Sequence, residues 1–234
     1  LLVGALRPTL DGILDVVRRT DPDGIAGFTV CAPHGDLPQS AIEAALDTVL
    51  ALGHPTALYQ LPQITGNRIA PDTVARLAAR HPNCFLFKDT SGEDTVALSG
   101  QVPDSVFLVR GAEGDYARWL APDGPYDGFL LSTANSFPAE LRAIVDDPLG
   151  ARGLSERVSA CVADAFAAVA DVPVGNAFAN ANKAIDHVQA WGDRALAVPP
   201  PVLHGGARLP VEAIRRVADS LTRHGLHPDR GYRE

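Results

Sequence analysis

The sequence of 234 residues contains no methionine, three cysteines and few aromatic side chains, which make up 6% of it. Cys31, Cys84 and Cys161 are odd in number and widely spaced, which argues against a disulfide framework and against a cysteine-rich zinc site. We therefore expect a protein of the reducing cytoplasm with no bound metal. Because no initiator methionine is present, we also expect the sequence to be part of a longer translated product.

Long apolar runs and an excess of positive charge are absent as well. The apolar runs fall short of the ~20 residues that a membrane helix needs, and residues 1–6 are too short and lack the basic flank of a signal peptide. The 20 Lys+Arg against 28 Asp+Glu give a net charge of −8, which provides no general attraction to nucleic acid or anionic lipid. We expect no nucleic-acid partner and no membrane partner.

Lysine is scarce, because only Lys88 and Lys183 are lysines among the 20 basic residues. In a chain that uses arginine almost everywhere for positive charge, a lysine points to chemistry that requires an amine. Both lysines are therefore candidates for a specific role.

Short apolar runs of β type alternate with segments that have helical spacing. The runs predict six strands near residues 2–5, 25–30, 56–61, 84–88, 106–110 and 128–133, each followed by a helix. Four further helices are predicted near residues 137–145, 154–169, 176–191 and 211–221. Consecutive βα units require parallel pairing with right-handed crossovers, so the pattern fits either an open doubly wound sheet or most of an eight-stranded barrel.

The most informative segment ends at Lys88, which follows an apolar run and precedes a polar turn. In parallel α/β folds, chemistry collects at the carboxyl ends of the strands. A partly desolvated amine there favours its neutral form, which can attack a ketone to form a Schiff base. The alternative is a lysine that extends to solvent or pairs with Asp89.

Three other predicted strand ends carry polar groups. Tyr59 could move protons or hold a carboxylate, or it could be a structural tyrosine bonded to backbone. The turns at residues 110–114 and 132–135 could bind a carboxylate or carbonyl oxygen, or serve only as turns. The glycine spacing of residues 111–114 matches neither a P-loop nor a dinucleotide fingerprint, so an NAD or phosphate enzyme is disfavoured.

Together these segments resemble a known superfamily. The segments are Tyr59-Gln60-Leu61-Pro62, then Lys88-Asp89-Thr90-Ser91-Gly92, then Gly111, then Ser132-Thr133-Ala134-Asn135. They are similar to the dihydrodipicolinate synthase and N-acetylneuraminate lyase superfamily, and the resemblance covers nearly the whole chain. It implies a (β/α)₈ TIM barrel with a C-terminal helical extension, usually a homotetramer, that uses class I Schiff-base chemistry without a cofactor.

The resemblance also assigns roles to residues. Lys88 corresponds to the imine-forming lysine and Tyr59 to the proton-relay phenol. Thr90, Gly111 and Ser132 would line the substrate pocket. The implied substrate is a small molecule, pyruvate or another 2-oxo acid, and the implied assembly is a homo-oligomer, a dimer or a tetramer.

The sequence departs from the superfamily at several places. The resemblance begins at the family's third strand, so we expect the first two βα units, with the turn that binds the 2-oxo acid carboxylate, to be missing. We therefore expect residues 1–145 to be a partial barrel, strands 3 to 8 of the pattern, and residues 146–234 to be a helical region. Ile64 stands where the synthases have arginine, and residues 31–36 lack the tyrosine that the synthases send into a neighbouring subunit.

These departures shape the expected function. A dianionic partner would need a buried cation, and Arg110 is the one cation near a predicted strand end that could replace the missing arginine. We therefore expect a carbon–carbon or carbon–oxygen lyase of the aldolase or dehydratase type, and not a true dihydrodipicolinate synthase. Its partner aldehyde or sugar-derived acid would be neutral or hydroxylated, and Gln60, Gln63 and Glu113 would contact it. The alternative is a non-catalytic member that uses the pocket for ligand sensing or assembly.

Overall fold

Six short parallel strands form a single sheet in the computed structural model, which describes residues 1–233. The strands follow the chain in the order β1-β2-β3-β4-β5-β6, with every adjacent pair parallel. Their bounds are β1 Leu2–Gly4, β2 Gly27–Val30, β3 Thr56–Gln60, β4 Cys84–Asp89, β5 Phe107–Arg110 and β6 Gly128–Phe129. All six predicted strands are therefore present.

Helices follow each strand, and their lengths differ widely. The helices are α1 Leu10–Arg19, α2 Gln39–Leu50, α3 Pro62–Thr65, α4 Pro71–Arg80, α5 Thr95–Leu98, α6 Tyr116–Trp119, α7 Pro138–Asp146, α8 Arg152–Ala168, α9 Ala177–Trp191 and α10 Val211–Arg223. No helix among residues 1–233 is both long and apolar enough to cross a membrane.

Local sequence explains where the longer helices begin. The Thr9 hydroxyl accepts a hydrogen bond from the Gly12 amide at 3.2 Å and caps α1. Pro71 occupies the first turn of α4, where its missing N–H is not needed. The apolar residues of α1 that recur at helical spacing, Ile13, Leu14 and Val17, are buried.

The two faces of the sheet carry different residues. Register pairs link Val30 to Leu58, Leu58 to Phe87 and Phe87 to Leu108, and this face packs in the apolar core with Ile13, Ile42 and other helix residues. Tyr59 pairs with Lys88 and Lys88 with Val109 on the opposite face, because successive side chains of a strand point to opposite sides.

The chain divides into two compact units. The first comprises Leu1–Ala112 and Pro125–Leu130, and the second comprises Glu113–Gly124 and Leu131–Glu234. In the second unit, helix α8 packs with α9 and α10 around buried Val158, Ile185 and Val217. The expected boundary between residues 145 and 146 falls inside the second unit.

Two strand ends differ from the prediction by two residues or more, and the other differences are of one residue. Strand β2 begins at Gly27 and not at residue 25. Gly27 has φ of +147°, and a Cβ there would lie 2.2 Å from the Pro55 carbonyl oxygen. Strand β6 ends at Phe129, and residues Ser132–Asn135 form a 3₁₀ helix. Phe129 pairs with Arg110, the last residue of β5, and the Leu130 amide still donates to the Arg110 carbonyl oxygen at 3.0 Å.

Candidate active site

The carboxyl ends of β3 and β4 bring Tyr59, Lys88 and Thr90 together. The half-buried Lys88 Nζ lies 4.2 Å from the centroid of the Tyr59 ring. The Thr90 hydroxyl donates to the Tyr59 hydroxyl at 3.4 Å. These residues were predicted to share one end of the sheet, and they contact one another.

Lys88 does not pair with its neighbour Asp89. Among residues 1–233, no carboxylate lies within ion-pair distance of the Lys88 ammonium. Asp89 is on the other face of β4, where its carboxylate accepts from the Ser91 amide at 2.8 Å and from the Gln60 side chain at 3.4 Å. The contact that Lys88 makes is therefore with an aromatic face and not with an anion.

Gly111 is the residue that leaves room for the lysine. A Cβ at this position would lie 2.2 Å from Thr90 Oγ1 and 2.7 Å from Lys88 Cε. The Gly111 amide donates to the Asp89 carbonyl oxygen at 2.6 Å, which fixes the backbone there. The sequence predicted a pocket-lining role for Gly111, and close packing against Lys88 requires a glycine.

Cys31 comes directly after β2. Burial raises the pKa of its thiol to about 12, while the positive charge of Lys88 acts in the opposite direction. The two groups are therefore close enough to interact electrostatically. The sequence analysis assigned no role at the site to Cys31. Its place at a strand end, like that of Tyr59, was the signal that could have found it.

Arg110 is engaged within the protein. Its guanidinium donates to both carboxylate oxygens of Asp94, at 2.9 and 3.2 Å, and to the Ala112 carbonyl oxygen at 2.9 Å. The buried Tyr126 hydroxyl also donates to Asp94, at 2.6 Å. The suggestion that Arg110 could replace the missing arginine for a substrate carboxylate is therefore wrong, because Asp94 already compensates its charge. Ile64, at the position of the missing arginine, is 61% exposed.

Burial also perturbs two other groups of this polar cluster. The pKa of Asp89 is raised, first because burial disfavours the charged carboxylate and also because Asp94 is negative. Burial and the hydrogen bond to Asp94 raise the pKa of Tyr126, so its hydroxyl stays a donor. The cluster lies on the face of the sheet opposite Lys88, since Asp89 and Arg110 are register partners.

Side chains tie together the loops that follow β2, β3 and β4. The buried Asn67 amide donates to the Pro33 and Gly35 carbonyl oxygens at 2.6 and 3.1 Å. The Gln63 amide donates to the Thr90 carbonyl oxygen at 3.0 Å. Arg68 and Glu93 form a bidentate ion pair, with N–O distances of 2.6 and 2.8 Å. The strand-end loops are thus cross-linked by hydrogen bonds.

The other predicted site residues belong to the second unit. Glu113 accepts from the Tyr116 hydroxyl at 2.9 Å and from the Thr133 amide at 3.2 Å. Ser132 is exposed in the 3₁₀ helix. Lys183 donates to the Val202 carbonyl oxygen at 2.8 Å, a structural contact. Among residues 1–233, no group of three or more His, Cys, Asp or Glu is arranged to hold a metal ion.

A protein-family model matches most of the chain. The model of the dihydrodipicolinate synthetase family matches residues 11–172, which include β2 to β6 and the segment from Tyr59 to Gly111. The chain belongs to the dihydrodipicolinate synthetase family.

Curated relatives of this family member are synthases. The 4-hydroxy-tetrahydrodipicolinate synthase 1 of Streptomyces coelicolor is 48% identical over 135 residues, which cover 57% of this chain and 43% of that protein. The synthase of Prosthecochloris aestuarii is 30% identical over 97 residues, 41% of this chain and 32% of that protein. The chain thus spans less than half the length of these relatives. Their names do not support the expectation that the chain is not a synthase.

Solved structures share the fold of this family member. The dihydrodipicolinate synthase of Cyanidioschyzon merolae with lysine bound has a TM-score of 0.68 at 19% identity, covering 96% of this chain and 74% of that chain. The 2-keto 3-deoxygluconate aldolase of Picrophilus torridus has a TM-score of 0.63 at 16% identity, covering 79% and 68%. At these identities the likeness establishes a fold of the superfamily's TIM-barrel type.

Proposed function

We propose that the protein is a lyase or aldolase that binds pyruvate or another 2-oxo acid as a Schiff base on Lys88. The observation that carries this proposal is the position of Lys88 Nζ, which lies at a strand end, 4.2 Å from the Tyr59 ring centroid. An amine that no carboxylate binds can add to a carbonyl carbon without first breaking an ion pair, and the neutral amine is the nucleophile.

The chemistry follows from the imine. The neutral Nζ adds to the carbonyl carbon of the 2-oxo acid, and the resulting carbinolamine loses water to give an iminium ion. Its nitrogen accepts the electron pair when the adjacent carbon loses a proton, which gives an enamine that attacks an aldehyde carbon. The reverse sequence cleaves the same bond. Because the iminium serves as the electron sink, this route needs neither a metal nor a cofactor.

We assign the proton transfers to Tyr59. Its hydroxyl accepts from Thr90 Oγ1 at 3.4 Å, so Thr90 would orient the phenol, and Gly111 would form the adjacent wall. We expect Tyr59→Phe to keep the fold and imine formation but to reduce turnover by about 10²-fold or more, the usual scale for losing a proton-transfer group. Steady-state kinetics measures this, and Tyr232→Phe is the matched control. Unchanged turnover would assign Tyr59 to a structural role.

The partner substrate separates two candidate activities. The exposed Ile64 and the engagement of Arg110 by Asp94 favour a neutral or hydroxylated partner. Gln60 does not contact it, because its side chain is buried against Asp89 on the face of the sheet opposite Lys88. The 48% identity to the Streptomyces coelicolor synthase favours the second candidate, 4-hydroxy-tetrahydrodipicolinate synthase activity. Both candidates use the same lysine.

A substrate panel on the whole protein distinguishes these candidates. Turnover is measured with pyruvate plus aspartate semialdehyde, with pyruvate plus neutral hydroxyaldehydes, and with sugar-derived 2-oxo acids. We expect the hydroxylated substrates to be preferred and Lys88→Arg to abolish turnover, while Lys183→Arg leaves it unchanged. Efficient turnover of the semialdehyde would favour the synthase, and no turnover of any substrate would favour a non-catalytic, ligand-sensing member.

We further propose that the protein is cytoplasmic and a homo-oligomer, a dimer or a tetramer. The absence of a closely spaced cysteine pair supports a reducing compartment, and the resemblance to the superfamily supports the assembly. Sedimentation of the purified protein tests the oligomeric state, and a monomer at micromolar concentration would contradict it.

A further inference from the structure

The polar cluster behind β4 and β5 contains a buried ion pair with a third member. The side chains of Arg110 and Asp94 are 7% and 2% exposed, and the Tyr126 hydroxyl bonds to the same carboxylate at 2.6 Å. A buried charged pair with full hydrogen bonding is a rigid arrangement, because breaking any member leaves an uncompensated group. We call Arg110, Asp94 and Tyr126 the arginine triad.

The backbone at Asp94 has an uncommon conformation. Asp94 has a φ of +56°, in the left-handed region that a non-glycine residue rarely adopts. It also stands at the N-cap position of α5, yet its carboxylate makes no capping hydrogen bond because it faces Arg110 and Tyr126. The Asp94 carboxylate is therefore directed to the triad and not to the amides of α5.

The triad holds the backbone on both sides of Gly111. Arg110 precedes the glycine, and its guanidinium bonds forward to the carbonyl oxygen of Ala112, which follows the glycine. Gly111 in turn packs so closely on Lys88 Cε that a methyl group would lie 2.7 Å from it. A shift of the Arg110 side chain therefore moves the wall against which Lys88 rests.

We propose that Arg110, Asp94 and Tyr126 are positioning residues that fix Lys88 through the backbone at Gly111. None of the three needs to touch substrate, since they lie on the opposite face of the sheet. The inference rests on the proposed function of Lys88. The proposal adds that the rate of imine formation depends on the Tyr126 hydroxyl, which takes no part in the reaction.

The test uses the whole protein and two pairs of variants. Tyr126→Phe removes one hydroxyl and retains the ring and the ion pair, and Tyr232→Phe removes the hydroxyl that bonds to Asp186 at 2.8 Å in the second unit. Arg110→Lys keeps the charge but lacks the planar fork, so it cannot bond to Asp94 and Ala112 together. Arg208→Lys, at an exposed arginine, is its control.

The measurement is reductive capture of the pyruvate imine by borohydride at saturating pyruvate over a range of pH. It is made at a temperature at which circular dichroism shows each variant folded. We expect Tyr126→Phe to slow capture about tenfold, on the scale of a small misplacement of a reacting group, and to shift the midpoint of the pH profile. Arg110→Lys should do more, and both controls should match wild type.

The outcomes separate this inference from the proposed function. If wild type captures pyruvate and folded Tyr126→Phe captures it at the same rate and pH midpoint, the positioning role is overturned while the Lys88 chemistry stands. If wild type captures no 2-oxo acid, the proposed function fails and the positioning role falls with it. If Arg110→Lys does not fold, the result for Tyr126→Phe decides.

Discussion

Lys88 lies in a space that Gly111 leaves open, so the glycine is the most sensitive position beside it. Gly111→Ala places a methyl group 2.7 Å from Lys88 Cε and 2.2 Å from Thr90 Oγ1. We expect turnover to fall by about 10²-fold because the lysine must move, and the free energy of unfolding to fall by ~1–3 kcal/mol. Kinetics and urea unfolding measure both. Gly4→Ala, whose nearest atom lies 3.9 Å away, is the control, and wild-type turnover in Gly111→Ala would contradict the packing argument.

Asp89 makes the stability of the protein depend on pH. Its pKa is raised above 3.8, first by burial and further by Asp94. A carboxyl group with a raised pKa stabilises the folded state below its ordinary pKa, and this contribution is lost as the pH rises through the raised value.

Asp89→Asn cannot ionise, so its free energy of unfolding should rise relative to that of wild type as the pH increases from about 4 to 7. Urea unfolding of both proteins across this range measures the difference, and the exposed Asp36→Asn is the control. A difference that does not change with pH would show that Asp89 has the same pKa in the folded and unfolded states.

The contacts of Lys88 and Tyr59 could be predicted from the sequence, whereas the arginine triad could not. Carboxyl ends of adjacent parallel strands meet at one edge, so a residue that ends β3 must lie beside one that ends β4. Asp94, which has a left-handed backbone conformation, pairs with Arg110, and Tyr126 lies in a loop later in the chain. Neither feature has a local signature, and Arg110 was therefore wrongly expected to be available to substrate.

At the scale of elements, two asparagines each donate hydrogen bonds to two backbone carbonyl oxygens, one at each end of the strands. Asn67 ties the loops after β2 and β3. Asn83, just before β4, donates to the Leu50 and His54 carbonyl oxygens at 2.9 and 2.8 Å. Each amide satisfies two backbone carbonyls, so each contributes to stability, but the loop held by Asn67 lies at the end that carries Lys88.

We expect Asn67→Ala and Asn83→Ala each to lower the free energy of unfolding by ~1–3 kcal/mol, because two carbonyl groups lose their donor. Turnover should fall in Asn67→Ala alone. Urea unfolding and kinetics at a temperature where both variants are folded provide the comparison. Equal losses of turnover in the two variants would mean that the loop bonds act only through global stability.

Helices and strands could be predicted from the sequence where a clear apolar pattern or a capping residue marks them. Strand β4 follows from its apolar run, and α1 and α4 follow from helical spacing with a capping threonine or a first-turn proline. The end of β6 was not predictable, because Leu130 and Leu131 continue the apolar run beyond Phe129, the last residue paired with β5.

For the whole molecule, the six-stranded parallel sheet agrees with the βα alternation, which fitted either an open sheet or a barrel. The family match agrees with the resemblance that implied the barrel. Phe107 lies on the face of the sheet that carries Lys88 and is 49% exposed. The division of the chain into two units could not be read from the sequence, because residues 113–124 group with later helices while residues 125–130 group with the sheet.

The central claim is that Lys88 forms an imine with a 2-oxo acid. The most direct test is treatment of the whole protein with pyruvate and borohydride, followed by mass mapping of the peptides that contain Lys88 and Lys183, the two lysines of the sequence. We predict a stable adduct on Lys88, none on Lys183, and no adduct in Lys88→Arg, because a guanidinium that stays protonated cannot form the imine. An adduct on Lys183 alone, or no adduct with any 2-oxo acid, would contradict the account.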